Sequence, residues 1–230
     1  IEMFRSLSPL DGRYSKQVES LKAFFSEEAF ILYRFQIEWQ YLKSLLSQLE
    51  ISVPEGFFLL SFHNEHIITQ VKEFEQVTQH DVKAIEYTLR EILEKAGYSH
   101  LKEWVHWGLT SEDVNNLAYG CMLKDALAKV MEPALTTVLE TFKTLLTRTK
   151  AIPMLARTHG QPASPTTVGK EFAVFAYRLL IEMQHLCSLV PAGKLNGATG
   201  NWHIHSMMYP HLNWVEFSKQ FILSLNLPFA

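Results

Sequence analysis

This sequence has no excess of positive charge. Lys and Arg total 21 against 24 Asp and Glu, a formal net charge of -3. A protein held on nucleic acid by its phosphates needs basic residues to replace condensed counterions, so that class of partner is excluded. A small anionic ligand is not, because it needs only a local cluster of donors. No apolar run approaches the ~20 residues of a membrane helix, and no charged-then-apolar start suggests a signal peptide. The expectation is a cytoplasmic protein with no membrane partner. Cysteine is scarce: Cys121 and Cys187 sit among apolar residues without a CxxC partner and read as buried free thiols in a reducing cytosol. Runs of alternating residues long enough for a sheet core are missing, as are repeats and low-complexity tracts. The chain opens on Ile1-Glu2-Met3 and stops just after an apolar run, at Leu227-Pro228-Phe229-Ala230, which suggests a piece of a longer protein.

What is present is helical periodicity. The spacing predicts a helix over 24–49, with Ile31, Phe35, Trp39, Leu42, Leu46 and Leu49 at steps of three and four, and Ser26-Glu27-Glu28 as cap and acidic first turn. A connector with Pro54 and Gly56 follows. A second helix is expected over 63–77 and a third from Asp81 to about 96, ended by Gly97. From Ser111 to about 150 the positions Val114, Leu117, Ala118, Leu127, Val130, Leu135, Val138, Phe142 and Leu145 keep period, a length of about 60 Å. Pro133 should kink or split that helix. Its stripe is too long to bury against one small domain, which suggests a bundle completed by other subunits. Ser164-Pro165 is expected to start another helix running to about 190, and a last one is expected over 212–225. The fold class is all-α.

Polar clusters fall at helix ends rather than along helix faces. Asp11-Gly12-Arg13-Tyr14 precedes the first helix, His80-Asp81 begins the third, Thr110-Ser111-Glu112-Asp113 begins the long one, and Arg157-Thr158-His159-Gly160-Gln161-Pro162 follows it. Free amides and the positive dipole end make helix N-termini natural anion sites. The same residues also serve as ordinary caps, with Asp81 capping the third helix. His159, in a Gly/Pro-punctuated turn beside a guanidinium and a carboxamide, is a candidate acid or base. His203-Ile204-His205 and His63-Asn64-Glu65-His66 lack the facing and the third ligand of a metal site. Gly197-Ala198-Thr199-Gly200-Asn201 has no strand before it and no Lys-Ser/Thr after it, so it is not a phosphate-binding P-loop. Neither a metal nor a cofactor is expected.

Five segments occur in order: Ser8-Pro9-Leu10-Asp11-Gly12-Arg13-Tyr14, His80-Asp81-Val82-Lys83-Ala84-Ile85-Glu86-Tyr87, Thr110-Ser111-Glu112-Asp113-Val114-Asn115-Asn116, Arg157-Thr158-His159-Gly160-Gln161-Pro162, and Lys194-Leu195-Asn196-Gly197-Ala198-Thr199-Gly200-Asn201. Together they resemble the adenylosuccinate lyases of bacterial type, a family of the fumarase/aspartase superfamily, along the whole chain. The resemblance implies β-elimination of fumarate from a purine nucleotide carrying a succinyl group. It implies His159 as general acid and Thr110 and Ser111 as ligands of the succinyl carboxylate. Gln79, His80 and Asp81 would contact substrate, with Gln79 standing where relatives often have asparagine, and Arg13 and Tyr14 would hold the nucleotide end. It further implies an N-terminal helical domain over 1–110 followed by the first part of a long-helix bundle over 111–230, and a homotetramer whose sites draw on three chains. The family's general base, a serine on a mobile Ser-Ser-x-Met-Pro-x-Lys-x-Asn loop, has no counterpart in these residues. The chain by itself is therefore expected to be inactive. The alternatives are another fumarate-releasing lyase or a non-catalytic helical assembly module.

Overall fold

The computed structural model describes residues 2–8 and 11–230; Pro9 and Leu10 of the Ser8–Tyr14 segment lie outside the described residues. Nine α-helices are described: α1 Lys22–Phe25, α2 Glu27–Gln48, α3 Asn64–Thr78, α4 Asp81–Lys95, α5 Ser111–Ala126, α6 Glu132–Thr149, α7 Val168–Ser188, α8 His203–Met208 and α9 Trp214–Ser224, together with one hairpin of β1 Pro153–Thr158 and β2 Gln161–Thr167. The chain divides into two compact units, one made of 1–124 with 191–230 and the other of 125–190. The division expected at residue 110 follows from the family resemblance and stands apart from this grouping of the chain's own residues.

In the first unit α2 is the central element. Ser26 caps it as expected, its Oγ accepting from the Ala29 amide at 3.1 Å. Ile31, Phe35, Trp39, Leu42 and Leu46 pack with Ile67, Ile68 and Val71 of α3 and Ala84, Ile85, Leu89 and Leu93 of α4. A second set on the same helix, Ile37, Tyr41 and Leu45, packs with Val114, Leu117 and Cys121 of α5 and Trp214, Phe217, Phe221 and Ile222 of α9. A helix covered on two sides carries apolar residues on both, so its single-stripe reading was incomplete. Helix α3 ends in a left-handed Gln79 (φ 53°), and α4 starts two residues later, so the α3–α4 connection is as short as an antiparallel hairpin allows. Gly193 is tied to the chain end through its amide on Pro228 O (2.8 Å) and its carbonyl under Ala230 N (2.9 Å).

In the second unit α6 and α7 pair antiparallel. A Cβ at Gly169 would lie 2.6 Å from Lys150 Cα and 2.7 Å from Leu146 O, so the backbones meet there and only glycine fits. Pro133 stands in the first turn of α6, and the turn before it, Leu127–Met131, is π-helical. The wider turn accommodates the ring and the missing N–H, so the expected break takes the form of a π-bulge.

Three expectations are corrected in this unit. Cys187, expected to be buried, is exposed in the last turn of α7, while Cys121 is buried as expected. Ser164-Pro165 does not start a helix: both residues lie in β2, with Pro165 opposite Leu155, and α7 starts at Val168 under Thr167, whose Oγ1 accepts from Lys170 N (3.3 Å). Both strands of a two-stranded ribbon are edges, so a proline can face outward without breaking a ladder. The segment around His159 is also more ordered than a turn after a helix. It is the tip of this hairpin, with Thr158 opposite Gln161 and both His159 (φ 50°) and Gly160 (φ 76°) left-handed, the twist that tight two-residue loops demand. Neither face of the ribbon is deeply buried, so its sequence carries no apolar alternation.

Candidate active site

At the start of α4 the cap is His80 rather than Asp81. His80 has extended backbone, and its Nδ1 accepts from the Lys83 amide at 3.2 Å. Asp81 is the first helical residue. Its Oδ1 accepts from Val82 N (2.8 Å) and its Oδ2 from Arg34 Nη2 (2.7 Å). Partial burial pushes the Asp81 carboxyl upward, but the Arg34 guanidinium, the Val82 amide and His80 outweigh it and hold the group below the usual carboxylate value. Gln79 spends its side-chain amide at home, Nε2 donating to Gln76 O at 2.8 Å.

The start of α5 is built around Asp113, which is fully buried. Its Oδ2 accepts from Thr110 N (3.0 Å) and Gly197 N (3.1 Å), its Oδ1 from Lys194 Nζ (2.9 Å) and Asn196 N (3.1 Å). Asn116 adds a second clamp, donating to Lys194 O (3.0 Å) and accepting from Lys194 N (2.9 Å). The glycine-rich stretch after Lys194 is therefore fixed beside the first turn of α5. Thr110 and Ser111 are half-buried here, and their hydroxyls have no protein partner among the described residues.

Three of the five segments are thus joined: His80-Asp81, Thr110–Asn116 and Lys194–Gly197. The link between α4 and α5 is Arg34, whose Nε also donates to Asn115 Oδ1 (2.8 Å). Arg13 and Tyr14 lie on their own turn before α1, both exposed, the guanidinium 5.4 Å from the phenol ring centroid. Asp11 shapes the chain just before them by accepting from the Ser8 and Leu7 amides (2.6 Å each), which holds its carboxyl below the usual value. His159 is exposed at the hairpin tip of the other unit.

Reading from sequence missed the residues that α2 contributes. Arg34, Glu38 and Tyr41 fall at i, i+4 and i+7 on one face, and all three are buried. Glu38 Oε1 lies 2.5 Å from His106 Nδ1. Burial pulls the His106 ring down, yet the Glu38 charge prevails and raises it. Tyr41 Oη donates to Trp107 O (2.9 Å) and accepts from His205 Nε2 (2.8 Å). His205 is fully buried against Trp107 and Trp214, and desolvation lowers its pKa to about 4, so its ring is neutral. In sequence, an Arg and a Glu four apart on a helix look like a solvent-exposed pair. Only the second apolar stripe of α2 marks that face as interior.

Among the described residues no group of His, Cys, Asp and Glu is arranged to hold a metal ion, and no helix is long and apolar enough to cross a membrane.

Residues 59–224 match the lyase family. The chain is 40% identical to adenylosuccinate lyase of Buchnera aphidicola over 96% of its length and 51% of that protein, and 37% identical to adenylosuccinate lyase of Escherichia coli K12 over the same shares. It spans about half the length of the curated relatives it matches. Among solved structures it resembles a fumarate lyase from Mesorhizobium sp. BNC1, with a TM-score of 0.72 at 19% identity over 92% of this chain and 48% of that one. It also resembles the β-carboxy-cis,cis-muconate cycloisomerase of Acinetobacter calcoaceticus, with a TM-score of 0.71 at 19% identity over 92% and 49%. At that identity the two structures bear on the fold, which is mostly α-helical in this chain.

Proposed function

The chain belongs to the lyase family, and we propose that the whole protein eliminates fumarate from adenylosuccinate to give AMP, and from the succinyl-aminoimidazole-carboxamide ribotide of purine synthesis. The observation that carries this reading is the convergence of the α4 start, the α5 start and the Lys194–Gly197 stretch through Arg34 and Asp113. In this reading the free hydroxyls of Thr110 and Ser111, at the positive end of α5, hold the succinyl carboxylate. His80 and Asp81 contact the substrate beside them, with Gln79 completing the turn. Arg13 and Tyr14 take the nucleotide end, where a guanidinium and a phenol suit a phosphate.

Elimination needs a base for the proton beside the carboxylate, donors for the resulting aci-carboxylate, and an acid for the departing nitrogen. His159 supplies the acid. The base is not among these residues, so the 230-residue chain does not turn over substrate. The whole protein is a homotetramer acting in the cytoplasm, its partners the nucleotide and fumarate, with no cofactor or metal. Exposed Val174, Phe175, Tyr177 and Leu180 on α7 suit subunit packing, and they are what a purely structural assembly module would also present.

Titration calorimetry with AMP separates the two readings. The half-site reading expects weak binding by the 230-residue chain, abolished by Arg13→Ala. No binding at any concentration favours the assembly module.

A further inference from the structure

We propose that Arg34 is the positioning residue of this site, fixing the His80-Asp81 start of α4 against the first turn of α5 at the spacing a substrate must span. The inference rests on the lyase reading and deepens it. Arg34 lies in the middle of α2, its side chain 6% exposed, while the Asp81 carboxylate it grips is 48% exposed. A buried cation thus anchors a group at the open surface. The guanidinium is planar, so the Nη2 bond to Asp81 (2.7 Å) and the Nε bond to Asn115 (2.8 Å) leave at fixed angles from one rigid plate. That plate is itself held: its centre lies 3.5 Å from the Phe30 ring centroid, and Phe30 stacks on Tyr119 of α5 at 4.6 Å and 20°.

With Oδ2 on Arg34 and Oδ1 on the Val82 amide, Asp81 has no freedom to turn. Its Oδ1 sits 3.5 Å from His80 Nδ1, the nitrogen that accepts the Lys83 amide. With Nδ1 spent on the Lys83 amide, Nε2 is the ring nitrogen His80 has left to donate to a ligand. The rest of the same face of α2 acts on the other wall. Glu38 holds His106 and Tyr41 holds the Trp107 carbonyl, in the stretch that leads into Thr110 and Ser111. One helix face therefore registers both ligand-facing walls, and Arg34 is the member that touches both helices.

The test compares Arg34→Lys, Arg34→Met and Asn115→Ala with wild type, each shown by circular dichroism to be folded at the assay temperature. Lysine keeps the charge but cannot serve two acceptors from one plane. The expected result is a shift of the His80 ring signals in NMR and a loss of about ten-fold to a hundred-fold in affinity for AMP and fumarate in all three variants. A residue that merely stabilises the fold would lower the melting temperature and leave ligand affinity in the folded variants unchanged. Affinities within about two-fold of wild type, or full rescue by Arg34→Lys, overturn the proposal. Should Arg34→Met fail to fold, Asn115→Ala, which leaves the guanidinium in position, decides the same point. If wild type binds neither ligand, the lyase reading fails separately, and unshifted His80 signals in the variants would still refute the positioning role.

Discussion

Replacing Asp113 with Asn is the sharpest perturbation of the fold around the candidate site. The side chain keeps its shape and loses half its acceptor capacity. Four donors converge on the carboxylate: the Lys194 ammonium and the amides of Thr110, Asn196 and Gly197. Each oxygen serves two of them, so either orientation of an asparagine presents its NH2 to two donors. Hydrogen bonds to a charged acceptor contribute about 1.5–3 kcal/mol each, and breaking a buried pair by removing one partner costs about 3–5 kcal/mol. Lys194 is 30% exposed and water can re-satisfy it and part of the loop, so the contributions do not add in full. A loss of about 3–5 kcal/mol is expected, a large share of the ~5–15 kcal/mol that holds a domain together. Urea unfolding followed by tryptophan fluorescence reads it directly, since Trp202 and Trp214 pack in the same core. Hydrogen exchange supplies the local readout: the Asn196 and Gly197 amides should lose protection first. Lys194→Met, which leaves the fully buried Asp113 charge with three amides and no cation, should cost about 2–4 kcal/mol. A loss under about 1 kcal/mol for Asp113→Asn, with unchanged exchange at 196 and 197, would refute the claim that this carboxylate organises the loop.

Two further outcomes follow from the neighbouring core. Gly108 has φ +73°, and a Cβ there would lie 2.5 Å from His205 Cε1 in a buried ring, so Gly108→Ala combines a strained backbone with a clash. Thermal unfolding should register a loss of about 2–4 kcal/mol. The pH dependence of stability has a defined sign. His205 has a folded value of about 4 against about 6.5 when unfolded, so the unfolded state binds more protons between these limits. Its contribution, about 3 kcal/mol, is complete above about pH 6.5 and is lost as pH falls toward 4. His106, raised by Glu38, works in the opposite window: its contribution is complete below the unfolded value and is lost as pH rises through the folded one. Urea midpoints from pH 7 to 4 and the ring shifts of His205 check the first. A His205 ring that protonates near 6.5 contradicts it.

How far the sequence was legible depended on what each residue faced. The helices with one covered side, such as α4 with Ile85 and Leu89, could be read from periodicity because burial imposes the period. The helix ends could be read because Ser26 and Gly97 carry their own local chemistry. The hairpin was not legible, since Met154, Leu155 and Pro165 lie in a ribbon with no buried face to impose alternation. The same limit hid Arg34 and Glu38. Their partners Asp81, Asn115 and His106 are 47, 81 and 68 positions away, and no local pattern encodes a contact at that separation. Asp113 sat inside a recognised segment, yet its capping look concealed that most of its donors come from 194–197.

The most direct test of the account is fumarate release from adenylosuccinate by the whole protein, wild type against His159→Gln. The account predicts turnover by wild type and a loss of about 10²–10⁴-fold in kcat for the variant, the range expected when a general acid is removed. Absence of fumarate from the wild-type reaction, or a His159→Gln enzyme as fast as wild type, would contradict it.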